Sequence, residues 1–143
     1  MSTNEASADE AQQAVIDELD FFDDWTDRYR YLIDMGRALP AFPGELQVDA
    51  NLIDGCQSQV WMVADGDASN VTFKATSDAA IVSGLIAVLI RIYSERSAAE
   101  IVATKARFID ESELSRYLSP TRSNGLASML ENIYKQAQLR IVA

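Results

Sequence analysis

No histidine occurs in the 143-residue chain, and cysteine occurs once, at Cys56. A structural zinc site takes about four nitrogen or sulfur ligands, so none can be assembled here. A Ser-His or Cys-His nucleophile pair is excluded for want of an imidazole. An intramolecular disulfide is excluded by count. Cations are scarce as well: 12 Lys and Arg stand against 22 Asp and Glu, for a formal net charge of −10. Neutralising phosphates takes clustered Lys and Arg, so nucleic acid is not an expected partner. The excess acid either draws a basic partner surface or simply keeps the protein in solution. Long apolar runs are the last absence. The longest, over residues 79–90, is interrupted by Ser83 and Gly84 and followed by Arg91. A bilayer span takes about 20 apolar residues, so this run reads as a buried helix and no membrane association is expected. Residues 1–10 carry neither the basic start nor the apolar stretch of a secretory signal, and a free thiol suits a reducing compartment. The expected location is cytoplasmic.

What is present is the material of one globular domain, with 48% hydrophobic residues. Residues 1–8 read as a disordered tail and 9–143 as a single domain. A first short helix starts near Asp9 with Ala14, Val15, Leu19 and Phe22 inward. Asp24 is a suitable N-cap for a second, running to about Leu39, with Trp25, Tyr29, Leu32, Ile33 and Gly36 as its stripe. Pro40-Ala41-Phe42-Pro43-Gly44 ends it. Three short strands follow: residues 51–53, 59–64 and 70–76, the last two joined at Asp65-Gly66-Asp67. Alternation of Val71, Phe73 and Ala75 with Thr72, Lys74 and Thr76 gives the sheet one wet face. Asp78 caps a helix built on Ile81, Val82, Leu85, Leu89 and Ile92. Ser97-Ala98-Ala99-Glu100 reads as a capping box, and a short helix covers residues 109–117. Ser119-Pro120 opens the last helix, with Leu126, Met129, Leu130, Ile133 and Ala137 inward. There is no internal repeat. The expected class is α+β, a small antiparallel three-stranded sheet packed against helices.

Cys56 falls at the connection between the first two expected strands. It is either a core filler or the one nucleophile of the chain. Gly55 lets the backbone turn tightly, and Gln57, Ser58 and Gln59 either make a hinged, wettable loop or merely cap strand ends. Asp54 lies two residues back, and no Lys or Arg occurs over residues 45–73. Nothing in the sequence neighbourhood therefore lowers the thiol pKa, and a sluggish thiol is expected in the isolated protein. Arg122 lies in the first turn of the last helix, where a cation opposes the macrodipole. It serves either a contact near the Cys56 loop or on a partner, or it is a solvated side chain paired with a surface acid. Trp25 and Trp61 read as core, and Gly36 and Gly84 as close-packing positions. Ser123-Asn124-Gly125 is not a phosphate loop, because it lies within a helical pattern and follows no strand.

Four segments, read together, resemble the SufE/CsdE family of sulfur acceptors. They are Tyr31-Leu32-Ile33-Asp34-Met35-Gly36-Arg37-Ala38-Leu39-Pro40 and Gly55-Cys56-Gln57-Ser58-Gln59-Val60-Trp61, then Ser77-Asp78-Ala79-Ala80-Ile81-Val82-Ser83-Gly84-Leu85-Ile86-Ala87 and Leu118-Ser119-Pro120-Thr121-Arg122-Ser123-Asn124-Gly125-Leu126. They occur in family order between about Trp25 and Ile133. The resemblance implies a fold shared with IscU-type scaffolds, although a cluster scaffold needs several cysteines and this chain has one. It implies a sulfur carrier that stimulates a pyridoxal-phosphate cysteine desulfurase of the SufS or CsdA type. The sulfur is taken as a persulfide on Cys56 and passed to an iron–sulfur scaffold of the SufB type. No cofactor or metal is implied on the acceptor, and a monomer or weak homodimer is expected. Such a protein is a sulfur-transfer accessory rather than a stand-alone enzyme. A single thiol suits that chemistry, since a second nearby would collapse the persulfide into a disulfide. The alternative is a non-covalent acidic adaptor in which Cys56 is structural. An independent thiol peroxidase is a weaker third reading, since no base or cation lies near Cys56 in sequence.

Overall fold

The computed structural model describes residues 5–54 and 58–142, the last by its backbone alone. Seven α-helices and one two-stranded antiparallel sheet occur among the described residues. None of these helices is long and apolar enough to cross a membrane. Helix α1 (Ala8–Phe21) and helix α2 (Trp25–Arg37) come first, followed by two single turns of 3-10 helix at Gly44–Leu46 and Asp49–Asn51. Strands β1 (Val60–Asp67) and β2 (Asn70–Ser77) form the sheet. Helices α3 (Ala80–Tyr93), α4 (Ala98–Ala103), α5 (Phe108–Glu111), α6 (Leu114–Tyr117) and α7 (Pro120–Val142) complete the chain.

Helix α3 is the hub, in contact with α1, α2, α7 and β2. Its buried residues, among them Leu85, Ile86, Leu89 and Ile92, run nearly round the helix, as an internal helix requires. Leu126, Met129, Leu130, Ile133 and Ala137 of α7 are all buried, in agreement with the 3.6-residue pattern. On the sheet Val60, Met62, Val71, Phe73 and Ala75 face the core, while Thr72, Lys74 and Thr76 do not. Trp61, expected in the core, is half-buried on the opposite face, because it sits one residue out of phase with Val60 and Met62.

The expected third strand is absent. Asp49–Asn51 winds into a 3-10 turn, leaving a single bridge between Leu52 and Trp61 and one bond from Ile53 N to Val60 O (2.9 Å). The hairpin turn lies two residues later than Asp65-Gly66-Asp67: Asp67 pairs with Asn70, so Ala68 and Ser69 form the turn. The Asp67 carboxylate accepts from Ser69 N and Oγ (2.9 and 2.6 Å), which fixes that choice. Gly66, at φ 101°, is a strand residue whose backbone only glycine adopts without strain. The segment 109–117 is two short helices rather than one, broken at Glu113 with φ 62°.

Of the residues read as a tail, 5–8 pack against the body. Glu5 O accepts from the buried Arg96 guanidinium (2.7 Å), Ser7 caps α1 by accepting from Glu10 N (3.0 Å), and Ala8 is fully buried. Ser97 caps α4 through Glu100 N, but the Glu100 carboxylate accepts instead from Ala8 N (2.6 Å). The capping box is thus half made, its second arm diverted to an orphan donor of α1. Arg91 joins the terminus to the hub, donating to Glu5 (3.0 Å) and to both oxygens of Glu18 (2.9 and 2.8 Å). The Tyr31 hydroxyl also donates to Glu18. Arg91 holds both carboxyls below the ordinary glutamate range, against the opposing effect of burial.

Helices α2 and α3 cross where Gly36 meets Gly84. A Cβ on Gly84 would lie 2.3 Å from Leu32 O, and one on Gly36 2.7 Å from Gly84 N, so both positions are closed to any side chain. Gly84→Ala is expected to lose roughly 3 kcal/mol, about 10 °C in melting temperature. Gly44→Ala, with nothing within 4 Å of the new methyl, is the control that leaves it unchanged. A Gly84→Ala melt equal to the control's would refute the close approach. A second expectation concerns acid. Glu5 and Glu18 have folded-state pKa values below the ordinary 4.5, so their contribution is complete above that pH and lost as pH falls through the folded values. Thermal melts should show Arg91→Met less stable than the parent at neutral pH. The variant should also fall less steeply between about pH 5 and about pH 3.

Candidate functional site

The cysteine-bearing connection leaves and re-enters the fold through a pinned neck. On the entry side, Ile53 N donates to Val60 O (2.9 Å) and Leu52 bridges Trp61. On the exit side, Gln59 N donates to Asp78 Oδ1 (3.1 Å), and Asp78 N donates back to Gln59 O (3.4 Å). Asp78, expected as the N-cap of α3, does not cap it: the N-cap position is Ala79, with no side-chain bond. The nearest substitute is Ser77 Oγ, which accepts from Ala79 N (3.2 Å). The carboxylate that would terminate the helix is turned to the exit of the loop. Gly55, Cys56 and Gln57 lie outside the described residues.

Ser58, two residues beyond Cys56, is half-buried and lines a cavity of about 300 Å³. The other walls come from Val82 and Leu85 of α3 and from the first turns of α7, including Ser119, Arg122, Leu126 and Met129. Ser58 and Arg122, 64 positions apart in the sequence, are thus brought to one cavity. The floor is apolar. The rim carries an exposed guanidinium and the amino end of a 23-residue helix, both positive. The sequence around Cys56 supplies no cation, but the fold sets one beside Ser58 from sixty residues away.

The start of α7 is held by aromatic contacts that sequence reasoning passed over. The Tyr117 ring stacks on Trp25 at 4.1 Å with 22° between planes, and Tyr29 donates its hydroxyl to Tyr117 O. Arg28 lies 4.9 Å from the Trp25 ring centre and Arg116 lies 5.9 Å from that of Tyr117, so cations flank the stack on both sides. Ser119 then caps α7, its Oγ accepting from Arg122 N (3.2 Å), with Pro120 in the first helical position as expected. Trp25 is half-buried and works as a strut between α2 and α6. Its spacing on the α2 stripe was legible, but its distant partner Tyr117 carried no signal.

Compared with known proteins, residues 13–137 match the family model described as "SufE: Fe-S metabolism associated domain". An uncharacterized SufE-like protein of Rhizobium etli is 43% identical over 134 residues, covering 90% of each chain. One of Rhizobium meliloti is 42% identical over 134 residues, covering 90% of this chain and 96% of the relative. The solution structure of a hypothetical protein from Thermus thermophilus shares the fold, with TM-score 0.77 at 16% identity, covering 93% of this chain and 97% of that one.

The Asp78 contact is open to direct test. A hydrogen bond of this kind is worth about 1 kcal/mol, so Asp78→Ala should speed hydrogen exchange at the Gln59 amide about fivefold. The Ile53 amide, bonded on the other side of the neck, should be unaffected. Unchanged exchange at Gln59 would show that the carboxylate does not hold the exit.

Proposed function

The chain belongs to the SufE family, and on that premise we propose that it carries sulfur on Cys56. It takes the sulfur from a pyridoxal-phosphate cysteine desulfurase of the SufS or CsdA type, which it stimulates. It then delivers that sulfur to an iron–sulfur scaffold of the SufB type in a reducing, cytoplasmic compartment. The observation that carries this reading is the pinned neck. The segment holding the only thiol of the chain leaves and re-enters at Ile53 and Val60, beside a cavity lined by Ser58 and Arg122.

The transfer is thiol exchange. The Cys56 thiolate attacks the terminal sulfur of the donor's hydropersulfide, the donor S–S bond breaks, and the donor cysteine leaves as thiolate. A hydropersulfide remains on Cys56, with no net oxidation and no external electron acceptor. Negative charge passes from one sulfur to another throughout. The Arg122 guanidinium and the amino end of α7 are suited to stabilise it where it develops. With no second cysteine in the chain, the cargo cannot be discharged as an internal disulfide.

The test is intact mass after incubation with a cognate cysteine desulfurase and free cysteine. The expected result is a gain of one or more sulfur atoms, reversed by reductant and absent in Cys56→Ala. The same variant should lose stimulation of the desulfurase. If Cys56→Ala stimulates as well as the parent and the parent gains no sulfur, the protein is a non-covalent adaptor and Cys56 is structural.

A further inference from the structure

The two edges of the sheet are treated differently. The outer edge of β2 is covered by the connection from α3 to α4: Val71 N donates to Arg96 O (2.8 Å), Glu95 N to Val71 O (2.7 Å), and Phe73 N to Ser94 Oγ (2.9 Å). The outer edge of β1 is closed only at its two ends. At the loop end, Ile53 N bonds Val60 O and Leu52 bridges Trp61. At the hairpin end, Arg140 Nε donates to Gly66 O (3.0 Å), and Gly66 N is taken by the Asp65 carboxylate (2.9 Å). Backbone groups on a strand alternate sides, so Met62 and Ala64 point outward with Val60 and Gly66. Of their four N–H and C=O groups, Met62 N–H faces Asn51 O in the bridge between Leu52 and Trp61, and the other three bond to no described residue.

A cleft of about 280 Å³ adjoins Met62 and Ala64, lined also by Asn51, Leu52, Asn132 and Gln136. It lies where the expected third strand would have run on past Leu52. Of its lining amides, Asn51 donates to Leu46 O (2.8 Å) and Gln136 accepts from Arg140 (3.1 Å), while Asn132 donates only to the Met62 thioether (3.4 Å), a weak acceptor. Asp49, Asp54 and Asp65 stand exposed at positions adjoining the lining, in a chain of net charge −10.

We infer that this edge receives an extended, basic segment of a partner protein, which pairs with Ala64 and the Met62 carbonyl as a short third strand. Open edges bind peptides through main-chain hydrogen bonds, with flanking side chains setting preference. Here the Asn132 amide completes the backbone pairing, and the surrounding carboxylates select Lys and Arg. The slot is bounded at both ends, so it admits a short strand rather than a long one. It begins two residues after Val60, so the docked segment adjoins the neck at Ile53 and Val60. The inference stands apart from the chemistry assigned to Cys56, since it needs only the edge.

The experiment is amide hydrogen exchange on the isotope-labelled protein with terminally blocked heptapeptides. One set alternates Val or Ile with Lys or Arg; a matched set carries Glu at the charged positions. The expected result is exchange at the Ala64 amide slowed about tenfold near saturation by the basic set and unchanged by the acidic set. Ala64→Pro removes one outward N–H and leaves the β1–β2 ladder intact, so it should keep the parent's melting temperature and abolish binding of the basic set. Ala64→Val keeps the N–H and should keep the effect. No slowing with any peptide, or equal slowing by both sets, would overturn the inference. So would slowing that follows protein concentration without peptide, which would assign the edge to a second copy of the chain. The exchange comparison stands whether or not the proline variant folds.

Discussion

The approach of α2 to α3 at Gly36 and Gly84 is the contact on which the rest of the arrangement hangs. Helices normally pack about 8–10 Å apart because side chains separate them. With Gly84 set against the Leu32 carbonyl, no side chain separates these two. That seating fixes the axis of α2 on the hub. The amino-terminal half of α2 then projects Trp25 and Tyr29 toward α6, where they hold the Tyr117 ring and carbonyl. Two residues later Ser119 starts α7, and α7 brings Arg122 to the cavity that Ser58 also lines. A glycine pair in one helix crossing thus governs where a cation stands at a cavity formed by other elements. A displaced α2 would carry the start of α7 with it.

The carboxylate of Asp78 shows how local stability is traded at the loop. A helix lacking a good N-cap forgoes about 1 kcal/mol. Helix α3 accepts that loss because its stability comes from burial: six consecutive residues from Gly84 to Leu89 are buried, and each large apolar side chain contributes about 2 kcal/mol. A surface helix with one apolar stripe would have less burial against which to offset a missing cap. The most buried helix of the fold is therefore the one that can release its capping residue. That residue is used to fasten the exit of the only segment that bears a thiol. Ser97 and Glu100 repeat the pattern at α4, where the second half of a capping box is redirected to the first turn of α1.

These diversions mark the limit of what the sequence made legible. Where structure follows from a period or from a cap bonding its own helix, the reading matches on the inward face of α7, the wet face of β2, Asp24 on α2 and Ser119 on α7. Of the stripe expected for α1, Val15 and Leu19 are buried, but Ala14 and Phe22 are only half-buried. Gly36 and Gly84 were recognisable as packing positions because a small residue on an apolar stripe has few other uses. The reading failed where a group had two competing partners and the winner was remote in sequence. Asp78 looks the same whether it caps Ala80 or holds Gln59. Residues 51–53 have strand composition, but the turn before them leaves room for one bridge. Trp61 is apolar enough for the core and was assigned by type, when its phase relative to Val60 put it on the other face. The cavity is the clearest case. Ser58 and Arg122 carry no mutual signal, and the family resemblance alone set them in one functional context.

On the proposed chemistry, the length of the connection limits how sulfur can move. From the bonded Ile53 to Cys56 is three residues, and an extended chain spans at most about 3.5 Å per residue. On the proposed chemistry the thiol therefore works within roughly 10 Å of the neck, whatever path the loop takes. A donor cysteine sheltered in a partner's own active site must be brought to that neck, since the carrier cannot reach far to find it. The docking surface has to border the neck for the same reason. Three features do so: the cavity with its positive rim, the Asp78 clamp, and the open edge of β1. They act over different ranges. An excess of acid attracts a basic surface, such as that of the proposed partner, over about a Debye length, roughly 8 Å at physiological salt, and has little to say about orientation. The strand edge is directional and fixes register. In the proposed transfer the guanidinium and helix end act only at contact, where a thiolate is formed and released. A protein that is negative overall and positive at the point of transfer can thus attract its partner and still stabilise the anion that passes between them.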